Sequence, residues 1–163
     1  MTTAPTRPPI LTPEQRRVAA RLVYGLPNVA IARKVSLSVD GVASHLSSAR
    51  KRLGCPGSSR AVLVHTLLTA REVPPPAGTG AVPAFSNHEV TVIRAVAEHT
   101  LNADIGNAIG VPAYDVRAEI DAVLAKGNAR SAAHLVGLAH TWGILGGASD
   151  SQPATAATAE PTR

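Results

Sequence analysis

Apolar residues recur at helical spacing in four stretches of the first half of the chain. The first stretch opens with Thr12, Pro13 and Gln15, a set that predicts an N-cap, a first-turn proline and a capping-box partner. Gly25 ends this stretch, and Asn28 is expected to cap the next one. The pattern predicts helices over about 13–24, 28–35, 38–53 and 59–70.

A three-residue turn, Ser36 to Ser38, joins the second and third predicted helices, and Ser38 is expected to cap the third. If Asn28 is counted as position one, positions four, five, eight, ten and fifteen carry the small or apolar residues that helix-turn-helix packing needs. A four-helix core can produce some of this spacing by chance, but the basic residues around it favour a helix-turn-helix. The five residues are Ile31, Ala32, Val35, Leu37 and Val42.

The second half of the chain shows the same apolar pattern with few identical residues. A shift of 74 residues aligns Asn28 with Asn102 and, with no gap, Val62 with Val136. A pattern that persists while its residues change indicates a retained fold. We therefore predict an all-α chain of two tandem four-helix helix-turn-helix domains joined by a Pro/Gly-rich linker.

Composition sets the predicted domain boundaries. Residues 71–84 contain four prolines and two glycines, and an extended linker of that length reaches about 40 Å, so the flanking domains need not touch. Both ends of the chain are small and polar, which predicts disorder. The predicted order is a disordered N-terminus (1–10), a first domain (11–70), a linker (71–84), a second domain (85–145) and a disordered tail (146–163).

The positive charge of the chain belongs to its first half. Residues 10–73 contain ten Lys/Arg and three Asp/Glu, a net charge of +7, whereas residues 85–145 contain four and six, a net charge of −2. This distribution is compatible with a nucleic-acid partner for the first domain. The single cysteine, Cys55, excludes an intrachain disulfide, and the absence of a long apolar run predicts a cytoplasmic protein without membrane contact.

The run LTPEQRRVAARLVYGLPNVAIARKVSLSVDGVASHLSSARKRLG, which starts at Leu11, resembles the LuxR-type (GerE-type) DNA-binding domain. The shared features are the opening Leu-Thr-Pro, the Gly-Leu-x-Asn-x-x-Ile-Ala entry to the second helix, and Val-x-x-His-Leu ending in Lys-x-Leu-Gly or similar. The resemblance implies a transcriptional regulator that binds double-stranded DNA with its third helix in the major groove. It also implies a fourth helix that often supports dimerisation, so a homodimer or a partner regulator is expected.

The resemblance, matched position by position, implies base-facing residues at Ala43, Ser44 and Ser47. The family commonly has Thr and Lys where this chain has Gly41 and Ala43, so base recognition would depend on serines, methyl contacts and DNA shape. The resemblance places backbone contacts near Ser38, Lys34 and Lys51, and the surrounding basic residues extend that set, although the run 50–52 can also be read as a solvated face. The predicted backbone contacts are Arg33, Lys34, Ser38, Arg50, Lys51, Arg52 and Arg60.

The second domain carries acidic residues where the first has neutral or basic ones. Asp115, Glu119 and Asp121 occupy the third-helix positions of Gly41, His45 and Ser47. Carboxylates there would repel phosphates, which favours a degenerate copy used for protein contact. The alternative is a second reader in which Glu119 or Asp121 accepts from cytosine while Arg117 touches a purine. The residues expected to make protein contact are Leu124, Leu138 and Trp142.

The function predicted from the sequence is therefore a DNA-binding transcriptional regulator. The alternatives are an adaptor that binds a sigma factor or another regulator, and an architectural protein indifferent to DNA sequence. The six histidines lack ligand spacing, and no Gly-rich phosphate loop follows a strand, so we expect no enzyme activity, cofactor, metal or small-molecule ligand.

Overall fold

A computed structural model of the protein describes residues 10–78 and 80–146, so the predicted disordered ends lie almost wholly outside the described residues. The described residues confirm the all-helical prediction, and none of their helices is long and apolar enough to cross a membrane. The elements are α1 (Pro13–Leu22), α2 (Asn28–Val35), α3 (Val39–Arg52), α4 (Arg60–Thr69), α5 (Asn87–Glu98), α6 (Asn102–Ile109), a 3-10 helix (Ala113–Asp115), α7 (Val116–Gly127) and α8 (Ala132–Thr141). Below, α1–α4 are the first unit and α5–α8 the second.

The helix starts of the first unit follow the capping residues, with one exception. Thr12 and Gln15 form both halves of a capping box, with N–O distances of 3.2 and 3.1 Å. The Ser38 hydroxyl accepts from the Gly41 amide at 2.9 Å and thereby starts α3. The prediction for Asn28 is wrong, because Pro27 is the N-cap of α2 and Asn28 is its first helical residue.

The turn after α2 has the same geometry as the turn after α6. Ser36 has the left-handed conformation, with φ of 58°, and the next amide, of Leu37, donates to the Ala32 carbonyl at 3.0 Å. Gly110 has φ of 78°, and the Val111 amide makes the equivalent 3.0 Å bond after α6. Both turns therefore close α2 and α6 in the same way, but only the second uses the residue that adopts this conformation at low cost.

Two features separate the second unit from the first. Pro112 occupies the place of Ser38 and makes no side-chain cap, so the chain forms a short 3-10 helix before α7 begins at Val116. The loop before α8 is shorter than its counterpart, because four residues separate α7 from α8 whereas seven separate α3 from α4. The N-caps Ser59 and Ser131 are accordingly 72 residues apart and not 74. The predicted gapless alignment is therefore wrong at the last helix, where Val136 has the place of Val64.

The two units pack against each other, and the segment between them is part of that packing. The largest helix–helix contact in the described residues is between α4 and α8, and α4 also contacts α5. Val73 is buried, and the Thr141 hydroxyl donates to the Pro76 carbonyl at 2.6 Å. The expectation that the units need not touch is thus wrong. Residues 71–78 pack against the protein through the buried Glu72, Val73 and Pro76 and do not span a gap.

Candidate nucleic-acid interface

One face of α3 is buried and the opposite face is exposed. Val42, Leu46 and Ala49 recur at spacings of four and three and are at most 2% exposed. All three predicted base-facing residues are exposed, and Ser44 and Ser47 lie opposite the buried stripe. The structure therefore presents to solvent the face that the sequence assigned to DNA. Its members by helical spacing are Asp40, Ser44, Ser47 and Lys51, with Ala43 at one edge.

Asp40 is the member of this face that sequence reasoning did not single out. It is exposed in the first turn of α3, four residues before Ser44 and therefore above it on the same face. The helix N-terminus stabilises a carboxylate at this position. The spacing alone would have revealed it, because positions 40, 44, 47 and 51 share one helical face.

Exposed cations flank the α3 face at both of its ends. Arg33 and Lys34 occupy the last turn of α2, Lys51 and Arg52 the last turn of α3, and all four are exposed. Arg52 Nη1 donates to the carbonyl of Ile10 at 3.1 Å. Within residues 10–78 and 80–146, none of these four side chains takes part in a salt bridge. Their charges are therefore not neutralised by neighbouring carboxylates.

The two remaining arginines among the predicted backbone contacts, Arg50 and Arg60, are partly buried and bind the protein itself. Arg50 Nε donates to the Ser58 carbonyl at 2.9 Å. Arg60 donates from Nη1 to Asn28 Oδ1 at 2.7 Å and from Nη2 to the Leu26 carbonyl, so it ties the start of α4 to the start of α2. Burial, and then the charge of Arg50, lower the pKa of the Arg60 guanidinium. Arg60 therefore positions the helix-turn-helix and does not extend its exposed basic rim.

Two further ionic residues, both missed by sequence reasoning, hold the helix-turn-helix in place. Arg17 Nη2 donates to the Val35 carbonyl at 2.6 Å, which supports the C-terminal end of α2 from α1. Glu72 is 8% exposed, and its carboxylate accepts from the Ile10 amide at 2.8 Å and the Leu11 amide at 3.4 Å. Glu72 was assigned to the linker, so no sequence signal connected it with the start of the first unit.

The charged side chains within α7 have partners on α7 itself or on α5. Arg117 Nε lies 3.1 Å from Asp121 Oδ1 one turn away on the same helix. Glu119 Oε2 lies 2.8 Å from His88 Nε2 of α5. The groups named for the alternative second reader thus have partners within the unit, whereas the cations around α3 have no salt bridge within the described residues.

The three apolar residues expected to contact another protein lie inside the second unit. Leu138 is 9% exposed, and Leu124 is partly buried against the apolar core. Trp142 is partly buried with its ring centroid 5.6 Å from that of Phe85. In the folded chain Leu124 and Trp142 therefore pack against the protein itself, and Leu138 is buried.

Two histidines that appeared scattered in the sequence meet where α4 packs on α8. His65 Nδ1 and His140 Nε2 are 2.9 Å apart, and the two ring centroids are 5.1 Å apart. No group of three or more potential metal ligands occurs in residues 10–78 and 80–146. The pair therefore marks the contact between the units and does not assemble a metal centre from the described side chains.

Comparison with known proteins identifies the first unit. Residues 9–67 match the family model GerE, described as bacterial regulatory proteins, luxR family. No curated protein and no solved structure matches the chain. The matched span begins three residues before the N-cap Thr12, ends within α4 and includes the whole α2–turn–α3 motif. The first unit of this protein is therefore similar to the GerE/LuxR-type helix-turn-helix domain.

Proposed function

We propose that the protein is a DNA-binding transcriptional regulator whose α3 lies in the major groove. The observation that carries the proposal is the contrast between α3 and α7. Among the described residues, the outward face of α3 is uncovered, carries the Asp40 carboxylate in its first turn and has exposed cations without salt bridges at both ends, whereas α7 presents carboxylates paired with Arg117 and His88. Polyanionic DNA favours the first surface and is repelled by the second.

The exposed cations would bind phosphates and set the orientation of α3. Arg33 and Lys34 lie at one end of the face, and Lys51 and Arg52 lie at the other, so a backbone on each side of the groove could be contacted. The hydroxyl of Ser38 is already used to cap α3, but it is exposed and retains acceptor capacity. We assign Arg50 and Arg60 to positioning, because they are partly buried and their nitrogens donate to Ser58, Asn28 and Leu26, whereas Arg52 is exposed.

The residues that would face the bases are small. Ser44 and Ser47 can donate to or accept from base edges, and the methyl group of Ala43 can contact a thymine methyl. None of them makes the bidentate contacts by which Arg or Lys reads guanine. We therefore propose a modest sequence preference. The same small residues, with Gly41 beside them, favour the second candidate, an architectural protein that binds duplexes of any sequence.

The second unit is proposed to contact protein and not DNA. Its most extensive contact is with α4 of its own chain, through α8. A second-reader role would require Arg117 and Glu119 to give up their partners within the unit before they could reach a base.

A direct test places on α3 the carboxylate that α7 has at the equivalent position, Asp121. Ser47 is exposed at the equivalent position, so Ser47→Asp places a negative charge on the proposed groove-facing surface without disturbing the core. We expect this variant to lose at least about tenfold in affinity for a fluorescent duplex at low salt, because it opposes the phosphate field. Ser47→Asn introduces a side chain of the same size as Asp but without its charge, and this variant should bind DNA nearly as the natural chain does.

A matched control lies on α7. Asp121→Asn removes a charge from an equivalent position of the second unit and should leave DNA affinity within about twofold, apart from a small general gain from the added positive charge. Equal binding by Ser47→Asp and Ser47→Asn would contradict the proposal. Selection from random duplexes with the natural chain then separates the two candidates, because an enriched motif supports the regulator and equal recovery supports the architectural protein.

A further inference from the structure

The helix α4 has two apolar faces, and only one of them serves the first unit. Its sequence, RAVLVHTLLT, has no continuous polar face. Spacing of three and four residues places Ala61, Val64 and Leu68 on the same face as His65. These three residues are 4%, 0% and 8% exposed, although the face they share points away from Leu63 and Leu67. A neighbour other than α1–α3 must therefore cover them.

That neighbour is α8, and it carries a matching stripe. The equivalent positions, 72 residues later, are Ala133, Val136, Gly137 and His140, and His140 contacts His65 directly at 2.9 Å. Ser59–Ala61 and Ser131–Ala133, at the N-terminal ends of the two helices, line one pocket. Leu68 and His140, near their C-terminal ends, line another. The two helices thus run in the same direction and meet through equivalent faces, as two copies of one helix would in a symmetric pair.

Gly137 allows α8 to lie close to the end of α1 and to the segment between the units. A Cβ atom on Gly137 would lie 2.7 Å from the carbonyl oxygen of Val23 and 3.1 Å from Pro76 Cγ. The first of these neighbours is backbone and cannot move aside like the end of a flexible side chain. With the offset of 72 residues, Gly137 is equivalent to His65 of the first unit. A residue without a side chain therefore lies where α8 passes over the end of α1.

We propose that the second unit is a built-in partner that occupies α4 in place of a second chain. The protein is then a monomer with two helix-turn-helix units, of which only the first reads DNA, and it binds a single asymmetric site. The proposal that the protein is a monomer is based on the covered face of α4. The proposal that it binds a single DNA site rests also on the proposed function. The large hydrophobic residues that are exposed in the described part of the chain do not lie on α4 or α8. They are Tyr24, Val29, Val39, Val82, Leu101 and Tyr114.

The mass of the full-length protein in solution tests the proposal without DNA. We expect sedimentation equilibrium to give the single-chain mass of 16.7 kDa across about a hundredfold range of concentration. A mass that rises toward two chains within that range would overturn the proposal.

A wedge in the contact gives a second test. Gly137→Leu must push α8 away from Val23 and uncover α4, so we expect this variant to associate with itself as concentration rises. Ala125→Leu, which adds the same side chain at an exposed position of α7, should remain monomeric. A Gly137→Leu protein that keeps its full helical content and stays as monomeric as the control would overturn the proposal.

The number of chains bound per DNA duplex is a third test, and it distinguishes failure of this proposal from failure of the proposed function. One chain per duplex that contains a selected site supports a single reader, and cooperative binding of two chains overturns it. If the protein binds no duplex at low salt, the proposed function fails, while the mass measurements still decide whether the second unit replaces a second chain.

Discussion

The double variant Lys34→Gln, Lys51→Gln removes one exposed cation from each end of the α3 face. Both side chains are exposed and lie outside the apolar core, so the fold should be unaffected. Each phosphate contact contributes about 0.9 to the slope of log affinity against log salt. Loss of two contacts should therefore make the slope less negative by about 1.8. Over a fourfold rise in salt, the natural chain should lose about twelvefold more affinity than the variant does.

The measurement is a fluorescence anisotropy titration of a labelled duplex at several salt concentrations. The control is Arg94→Gln, Arg130→Gln, which changes the net charge by the same amount at exposed positions of the second unit. This control should shift the slope by well under one, because its charges are expected to lie away from the phosphates. Equal slopes for the two double variants would refute the reasoning, since affinity would then follow net charge and not the α3 face.

Three further predictions concern the stability of the fold. Glu72→Ala should lower the free energy of unfolding by about 1–3 kcal/mol in urea titrations, because the buried amides of Ile10 and Leu11 lose their acceptor; an unchanged midpoint would show that these bonds contribute nothing net. Ser36→Gly should raise it by up to about 1 kcal/mol, because glycine adopts the left-handed conformation at this turn without strain, and a loss of stability would contradict that. Burial, and then Arg130, lower the pKa of His134 in the fold, so the unfolded chain takes up its proton first as the pH falls through about 6.5, and stability declines over that interval. The decline between about pH 7 and about pH 5 should be smaller in His134→Gln, and an equal decline would exclude His134 as its source.

The helices of the first unit could be predicted because their signals are local. The capping box of Thr12 and Gln15 and the cap of Ser38 fix helix starts within a few residues. Asn28 shows the limit of such signals. Its side chain looks like a cap in the sequence but is held by Arg60, which is 32 residues away. The Asn28 side chain therefore binds a residue that is distant in the sequence and does not cap α2.

Charge alone could not separate the cations that face solvent from those that hold the fold together. Arg60 and Lys51 are equivalent in a count of basic residues, but Arg60 is half-buried against Asn28 and Leu26, whereas Lys51 is exposed. The distinction depends on the path of the loop between α3 and α4. That loop has no periodic pattern from which a path could be predicted.

The packing of the two units was missed, although α4 carried a signal for it. A helix with two apolar faces must be covered on both, and α1–α3 can cover only one face of α4. The proline-rich composition of residues 71–84 was read as a spacer, whereas Pro76 is buried against α8. The shorter loop before α8 could not be predicted from the apolar pattern. Two apolar helices can be aligned with each other in several registers, and only the cap residues Ser59 and Ser131 fix the correct one.

The central claim is that DNA lies against α3 and not against α7. Its most direct test is to map backbone amide shifts of the isotopically labelled full-length protein during titration with a short duplex. We predict that the largest changes cluster on residues 33–52, with Ser44 and Ser47 among them, and that the amides of Val116–Gly127 stay nearly unchanged. Changes centred on α7, or no changes on α3 at low salt, would contradict the account.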